Sequence, residues 1–370
     1  MSVKITREFL DSLSEEDINF IRSYIEERFG KNSKKRKSAE SKQANKPASS
    51  DQKPPCPVCG GSHVIKWGFN NGSQRYKCKD CGKLFNRHTG TLLESLHCSE
   101  ETLLKVIDAE IRGDSLKEIV YQTGLTESTC FLVRQRLHAL AGIVVSGKKL
   151  TGQTEVDATY TKISLSGTKP ENMPRYSKKR GKHQHIVGEE KDLRGPSHHK
   201  ICIITAIDEQ DKIIYKVSGL GQESLEKYQQ IREQMTDVKM IISDHCSSIV
   251  NFASEIGAVS DHLEHTNGEK HYTTPLGNSL GDVNQLHQEL KDLIRASHGI
   301  STRHLQGYLD WLVYTKGLRY STERKDQAVK VYEDLKSVYG YFRCKDVHSS
   351  EQPVSLREAY EEYHYGIFAD

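Results

Sequence analysis

Four of the nine cysteines stand in two closely spaced pairs, and their spacing constrains the fold of the surrounding segment more than any other feature of the sequence. Two residues separate Cys56 from Cys59 and Cys78 from Cys81, and 18 residues lie between the pairs. Two such CxxC pairs on short hairpins can place four thiolates tetrahedrally, as in a structural zinc site. A segment of about 35 residues with few apolar side chains needs such a metal to fold. The spacing therefore predicts a zinc ribbon over residues 56–90.

Other interpretations of the four cysteines fit the sequence less well. Ordinary buried cysteines have no reason to recur at this spacing, and no thioredoxin-like unit surrounds either pair, as a redox site would require. His63 and His88 are possible substitute ligands, but we expect them to be polar surface groups. Basic residues surround the pairs, so we expect the ribbon to contact a phosphate backbone. They are Lys66, Arg75, Lys77, Lys79, Lys83 and Arg87.

The composition is that of a polar globular protein with more than one domain. The chain has 370 residues, of which 28% are charged and 35% hydrophobic, a length that suits two or three domains. No run approaches the roughly 18 consecutive apolar residues of a membrane span, and residues 1–20 are charged and amphipathic, unlike a secretory signal. Close cysteine pairs suit a reducing compartment. We therefore expect a cytoplasmic protein that has no membrane contact.

The front of the chain predicts helices on both sides of the zinc ribbon. Apolar spacing predicts an N-terminal helical segment over residues 1–29, and the loss of apolar residues predicts a basic flexible linker over 30–55. Residues 91–145 resemble a helix-turn-helix, with a turn at Gly124, although any helical hairpin could look similar. The DNA-binding interpretation places its second helix in a groove. Its candidate DNA contacts are Glu127, Ser128, Thr129, Arg134 and Arg136.

The second half of the chain begins with a strand that carries a carboxylate at its centre. Polar and apolar side chains alternate over residues 153–163, and Glu155, Asp157 and Thr159 share one face. A solvated strand face would explain Asp157, and so would a metal site built on a rigid strand. A basic insertion follows over residues 165–200. It contains Lys178, Lys179, Arg180 and Arg194, which are candidate DNA contacts.

The later pattern predicts a mixed α/β core over residues 150–320, followed by a helical tail over 321–370. Strands are predicted at 201–208, 212–218 and 238–243, with a helix at 222–235. Asp244 stands immediately beyond the last of these strands, where such sheets place ligand-binding groups, although it could also cap a helix. On a helix that begins near Asp282, Asn284, His287 and Lys291 project from one face.

This order of groups resembles the DDE-class transposases, which have a ribonuclease H-like core. The shared features are an aspartate in a first strand, an aspartate after a later strand, and a helix with a basic residue seven positions after its amide or carboxylate. The preceding ribbon, the stretch 194–200, and Asn284 with Lys291 narrow the resemblance to insertion-sequence transposases whose triad ends in asparagine. The resemblance covers residues 55–318 and implies a ribonuclease H-like mixed-sheet core behind the zinc ribbon and the helix-turn-helix.

The resemblance also implies a catalytic site. Asp157, Asp244 and Asn284 would hold Mg²⁺ or Mn²⁺, and Lys291 would lie beside the DNA. Because asparagine replaces the usual glutamate, the site has one less negative charge. Three alternatives therefore remain: Asn284 is the third ligand, Asp282 or Glu289 is, or the protein is inactive. We favour Asn284, because only it has the basic residue seven positions later.

The resemblance further implies that the protein binds double-stranded DNA, namely the terminal inverted repeats of its own element and a target, and that it cleaves and joins strands. Bringing two ends together requires a homo-oligomer on DNA, and in a prokaryote it would be associated with the nucleoid. The alternative is a regulator or domesticated DNA-binding protein that keeps the zinc ribbon and the helix-turn-helix without catalysis.

Overall fold

The strand that carries Asp157 lies within a long series of strands and helices. The computed structural model describes residues 53–70, 72–164, 166, 200–266, 269–270, 273–297, 299–338, 340, 347 and 352–355. The strands are β1 (Val64–Asn70), β2 (Ser73–Cys78), β3 (Leu84–Asn86), β4 (Thr151–Lys162), β5 (Lys200–Asp208), β6 (Ile213–Leu220), β7 (Asp237–Ser243), β8 (Val259–His262), β9 (His265–Thr266) and β10 (Glu269–Lys270). The helices are α1 (Glu100–Arg112), α2 (Leu116–Thr123), α3 (Glu127–Ser146), α4 (Leu225–Gln229), α5 (Ser247–Ile256), α6 (Gly281–Ala296), α7 (Leu305–Ser321) and α8 (Gln327–Leu335). Over the ranges described, no helix combines the length and apolar character needed to cross a membrane.

Several predicted segments lie outside the described residues. They are the N-terminal helical segment 1–29, the linker up to residue 52, nearly all of the basic insertion 165–200, and most of the tail beyond residue 340. The candidate DNA contacts Lys178, Lys179, Arg180 and Arg194 fall in the insertion and therefore stay predictions.

A mixed five-stranded sheet forms the centre of the second half of the chain. Its strand order is β6-β5-β4-β7-β8, so the strand that carries Asp157 is the middle one. Strand β5 pairs antiparallel with β4 and β6, whereas β7 runs parallel to β4 and β8 runs parallel to β7. The mixed α/β architecture predicted from the sequence is confirmed.

Different helices cover the two faces of this sheet. Side chains of β5 alternate between them, because successive residues of a strand point to opposite sides. Ile203 and Ile207 belong to the larger core with α6 and α7, whereas Ile204 belongs to the smaller core with α4 and α5. Asp157 stands opposite Thr205 in the register of β4 and β5. It therefore lies on the face of Ile203 and Ile207, which α6 covers.

The ribbon segment folds as a small antiparallel sheet with very little core. Strand β2 pairs with both β1 and β3. The buried apolar side chains of this segment are Cys56, Val64, Tyr76, Cys78 and Phe85. Because two of these five are cysteines of the predicted zinc site, the remaining apolar area is too small to hold the hairpins without a further link.

The helices between the ribbon and the sheet begin and end at local capping residues. A reciprocal capping box of Ser115 and Glu118 starts α2, and Gly124 ends it with a φ of 67°, a left-handed value that favours glycine. Thr126 then caps α3 by accepting a hydrogen bond from the Thr129 backbone N–H. Buried side chains occupy several faces of α3, which packs against α7 of the second half of the chain.

The structure corrects the prediction that Arg134 and Arg136 contact DNA. Arg134 is 8% exposed, and its guanidinium donates from Nε to Glu110 Oε1 at 2.6 Å and from Nη2 to the Asp114 carbonyl oxygen at 2.8 Å. Arg136 is 3% exposed and donates to the Glu94 carbonyl oxygen. Both side chains therefore fix α3 against its neighbours and are not exposed to a DNA groove.

Replacing Arg134 should consequently destabilise the protein. Arg134→Ala would leave the buried Glu110 carboxylate without its ion-pair partner, which costs about 3–5 kcal/mol. Lys117→Ala, which removes an exposed basic side chain of α2, should change the free energy of unfolding by no more than about 0.5 kcal/mol. Urea denaturation of the two variants measures the difference. Unchanged stability of Arg134→Ala together with weakened DNA binding would contradict the buried role.

Candidate active site and cysteine cluster

The four paired cysteines converge on one point. Their sulfur atoms all lie within 4.8 Å of one another, with 3.6 Å from Cys56 to Cys81 and 3.6 Å from Cys59 to Cys78. In each pair a glycine follows the second cysteine, and its N–H donates to the carbonyl oxygen of the first cysteine. These tight turns direct both sulfur atoms of a pair to the same side. Four thiolates at this spacing suit a tetrahedral zinc ion.

The two histidines near the cysteines stand apart from the cluster. His63 Nδ1 lies 2.9 Å from Asp80 Oδ1, and the His63 side chain is 77% exposed. His88 is also exposed. Neither is among the groups whose ligand atoms converge with the cysteines in the described part of the chain, in keeping with their predicted place at the surface.

Asp157 and Asp244 occupy corresponding positions on adjacent parallel strands. Glu155 of β4 stands opposite Ile242 of β7, so each aspartate lies two residues beyond this pair in the same direction. The Asp157 side chain is 22% exposed, and its Oδ1 accepts a hydrogen bond from the Ala158 N–H at 2.8 Å. Burial, and then the charge of the nearby Asp244 carboxylate, raises the pKa of Asp157 to about 7. The two carboxylates are therefore close enough to repel each other.

Helix α6 places three further groups over this pair. The Val283 N–H donates to Glu155 Oε2 at 2.9 Å, which attaches the first turn of the helix to β4. One turn later, His287 Nδ1 lies 3.6 Å from Asp157 Oδ2. Burial, and then the charge of Lys291, lowers the pKa of His287 to about 4, so its imidazole is neutral at pH 7. Lys291 is exposed, and its charge acts to lower the pKa of Asp157.

The candidates for a third ligand point in different directions. Asn284 is exposed on α6, and its side-chain N–H donates to the Leu280 carbonyl oxygen at 2.6 Å. The Glu289 carboxylate instead accepts from Lys316 Nζ at 2.9 and 3.0 Å, which directs it toward α7. Asp282 is exposed, and its charge acts on Glu155. Because Lys316 holds the Glu289 carboxylate in an ion pair with α7, Glu289 is less suitable as a metal ligand.

A further carboxylate near Asp157, that of Glu223, was missed by the sequence analysis. Its charge contributes to the raised pKa of Asp157, after burial and Asp244. Glu223 stands three residues after the end of β6, in a stretch that was interpreted as part of a long helix. The structure has only the short α4 there, which begins at Leu225, so the residue lies in a loop at the sheet edge. Its place just beyond a strand was the one signal available.

The oxygen donors of this site fit a hard divalent cation. Carboxylate and amide oxygens are ligands that Mg²⁺ and Mn²⁺ prefer, and a cation would relieve the repulsion between Asp157 and Asp244. The carboxylates do not form a closed cage, however. Among the described residues, the cysteine cluster is the only set of three or more cysteine, histidine or carboxylate side chains whose ligand atoms lie mutually within 4.8 Å. The oxygens would have to converge when the ion binds.

Because the Asp157 carboxylate is buried near Asp244, removing its charge should stabilise the folded protein by an amount that depends on pH. Because the pKa of Asp157 is about 7 in the folded protein and near 3.9 when unfolded, its contribution to folding stability without a cation is most favourable below pH 4 and falls as the pH rises to 7. Asp157→Asn should therefore raise the free energy of unfolding by about 2–4 kcal/mol at pH 8 and by little at pH 4. Thermal unfolding without added Mg²⁺ or Mn²⁺ measures this.

Asp310→Asn provides a matched control for that measurement. Burial raises the pKa of Asp310 to about 6, and its partner is Gln306. Its substitution should also stabilise the protein at pH 8, but added Mn²⁺ should shrink the gain only for Asp157→Asn, because the ion stabilises the native site. A gain for Asp157→Asn that is independent of pH would refute the burial of its charge.

Comparison with known proteins gives one partial sequence match. No family model matches the chain. It is 30% identical over 113 residues to the "uncharacterized protein in transposable element ISH50" of Halobacterium salinarum. The match covers 30% of this chain and 38% of that protein, so the chain spans little more than a third of this relative.

Three solved structures show a weak likeness to the fold, each at 12% sequence identity. A pre-cleavage Mos1 transpososome has a TM-score of 0.23, with 66% of this chain and 80% of that chain covered. The Mos1 mariner paired end complex with Mn has a TM-score of 0.25, with 64% and 80% covered. The Mos1 strand transfer complex also reaches 0.25, with 68% and 82% covered. TM-scores of this size are too low to establish a common fold.

Proposed function

We propose that this protein is a DNA transposase of the DDE class with a ribonuclease H-like core. The observation that carries the proposal is the placement of Asp157 and Asp244 side by side on parallel strands, beneath a helix that bears Asn284 and Lys291. The partial match to a protein from a transposable element supports it.

In the proposed reaction, Asp157 and Asp244 hold Mg²⁺ or Mn²⁺. When bound, the metal would supply activation of the attacking oxygen and stabilisation of the leaving oxygen in displacements at phosphorus. Asp157, which is near both Asp244 and His287 of α6, would be one of the residues that hold the metal. The neutral His287 imidazole lies beside that carboxylate, with its Nδ1 3.6 Å from Asp157 Oδ2. Lys291 would neutralise the phosphate that approaches this acidic site.

Asn284 is our candidate for the third ligand. Its amide nitrogen is already engaged with the Leu280 carbonyl oxygen, so the carbonyl oxygen of the side chain is the end left for a cation. This oxygen is neutral, so it binds a cation more weakly than the glutamate usual in this class. Asp282 is the alternative; Glu289 is less suitable because of its ion pair with Lys316.

We further propose that the front of the chain binds the ends of the element. The cysteine cluster would hold structural Zn²⁺, and the ribbon and the helix-turn-helix would contact double-stranded DNA. Target DNA would bind at the carboxylate site. Since two ends must meet, the active form would be a homo-oligomer on DNA, and in a prokaryote it would be associated with the nucleoid.

Incubation of the purified protein with DNA tests the proposal. The substrate is a duplex that carries the inverted repeats flanking the reading frame, mixed with a supercoiled target. We expect nicks at the repeat ends and joined products with Mg²⁺ or Mn²⁺, and neither with Ca²⁺ alone. Repeat-specific binding without any nick or joint would instead indicate the DNA-binding regulator considered from the sequence.

A further inference from the structure

Strands β4, β6 and β7 run in the same direction, and two carboxylates follow the ends of β6 and β7. Strand β6 pairs antiparallel with β5, and β5 pairs antiparallel with β4, so β6 runs in the same direction as β4 and β7. Asp244 follows the end of β7, and Glu223 follows the end of β6 by three residues. Sheets of this kind bind ligands beyond the carboxyl ends of their strands. Glu223 and Asp244 therefore both follow strand ends on one side of the sheet, and the charge of Glu223 acts on Asp157.

The loop that carries Glu223 is fixed by several contacts. Lys227 Nζ donates to the carbonyl oxygens of residues 220, 221 and 222 at 2.5, 3.1 and 2.5 Å. The Glu223 N–H donates to the hydroxyl oxygen of Tyr160 at 3.2 Å, and Tyr160 lies on the same strand as Asp157. The hydroxyl of the fully buried Tyr228 donates to Glu223 Oε2. An ordinary solvated glutamate has no such support, whereas a binding group requires it.

The surroundings of Asp157 indicate that a ligand binds here. The His287 side chain is 8% exposed and directs Nδ1 at Asp157. Its other ring nitrogen, Nε2, is buried and has no hydrogen-bond partner among the described residues. A buried polar atom of this kind normally has a partner, which can be a bound water or ion. The charges of Asp244 and Glu223 act on the same Asp157 carboxylate, and that of Lys291 opposes them.

We propose that Glu223 is a third carboxylate of the divalent-cation site, beside Asp157 and Asp244. This inference rests on the proposed function and deepens it. Asn284 supplies no charge, so a cation held by Asp157, Asp244 and Asn284 would meet only two negative groups. Glu223 supplies the third. Since Ca²⁺ and Mg²⁺ affinity depends on the number of charged ligands, this carboxylate would restore the affinity that asparagine loses.

Mn²⁺ binding to the full chain tests the inference without any need for DNA. Glu223→Gln keeps the shape and removes the charge, and Glu226→Gln makes the same change at an exposed residue of α4. Electron paramagnetic resonance of free Mn²⁺ gives the dissociation constants. We expect Glu223→Gln to weaken binding at least about 10-fold, as even the loss of a supporting group does, and Glu226→Gln to leave it unchanged.

Two reference variants separate this inference from the proposed function. If Asp157→Ala and Asp244→Ala lose Mn²⁺ while Glu223→Gln binds it like the unaltered protein, Glu223 is no ligand and the function stands. If the two aspartate variants still cleave DNA, the proposed function fails, whatever Glu223→Gln shows. Circular dichroism checks folding. If Glu223→Gln does not fold, the Mn²⁺ affinity of Glu223→Asp is measured instead. Its shortened side chain should weaken Mn²⁺ binding only if the Glu223 carboxylate contacts the ion.

Discussion

Asp157→Ala and Asp244→Ala should each lower the rate of DNA cleavage by more than about 100-fold, since the loss of a mere supporting group at a metal site already costs 10- to 100-fold. Both side chains lie at the same level of the sheet, and the charge of Asp244 contributes to the raised pKa of Asp157. Removing either would leave the cation with too few charged oxygens to stabilise the leaving group. Strand joining should be lost in parallel, because it is the same displacement at phosphorus.

Asp237→Ala is the matched control for these variants. Asp237 is the first residue of β7, the strand that Asp244 follows, and its side chain is exposed. The cleavage rate of Asp237→Ala should stay within about twofold of that of the unaltered protein, because surface changes of this kind shift free energies by about 0.5 kcal/mol or less. Repeat binding measured by gel shift should survive in all three variants. If Asp157→Ala cleaves DNA at an unchanged rate, Asp157 does not belong to the active site.

The third ligand can be settled with the same assay. Asn284→Ala should reduce cleavage strongly, whereas Glu289→Gln should chiefly weaken the contact of α6 with Lys316 of α7. Because the Lys316 side chain is only 13% exposed, we expect Glu289→Gln to lower the free energy of unfolding by about 1–3 kcal/mol. A loss of cleavage in Glu289→Gln at full stability would transfer the role of third ligand to Glu289.

The sheet could be predicted from the sequence because its strands carry local signals. The predicted strand at 201–208 corresponds to β5, Lys200–Asp208, and the one at 238–243 to β7, Asp237–Ser243. Continuous apolar runs bounded by polar turns identify buried strands without reference to the rest of the chain. Asp244 could be singled out for the same reason, since the end of such a run is visible in the sequence.

The surroundings of Arg134 could not be predicted in this way. Its partner Glu110 precedes it by 24 residues and lies on another helix. Helix α3 is buried on several faces, so the amphipathic period that separates exposed from buried positions is weak in its sequence. An arginine near a turn in a helical hairpin then looks like a DNA contact. Only the packing of α1 against α3 shows that its charge is paired.

Glu223 was missed for a related reason. Glu223 is held by Tyr160, 63 residues before it, and by Tyr228, five residues after it. The contact with Tyr160 exists only because the strands are paired. Sequence periodicity also predicted one helix over 222–235, where the structure has α4 and a 3₁₀ turn at Arg232–Gln234. A glutamate in the first turn of a long helix has an ordinary capping role, so nothing drew attention to it.

Removal of zinc should unfold the ribbon while the five-stranded sheet stays folded. The ribbon has a buried core of five apolar side chains, two of which are cysteines of the cluster, so metal binding would supply most of its folding free energy. In peptides of this kind that contribution is about 10–16 kcal/mol at pH 7. Cys78→Ser, at a fully buried position, should abolish zinc binding, and a strong chelator should have the same effect on the unaltered protein.

The two tryptophans allow the ribbon and the core to be observed separately. Trp67 lies in β1 with Lys77 Nζ 4.5 Å from its ring centre, whereas Trp311 is buried in α7. Chelation should change the fluorescence of the unaltered protein, and this change should disappear in Trp67→Phe, which retains only the core signal. Cys98→Ser, at a cysteine outside the cluster, should keep one zinc per chain by elemental analysis. A purified protein that contains no zinc, or a ribbon signal indifferent to chelation, would show that the four cysteines stabilise the hairpins without a metal.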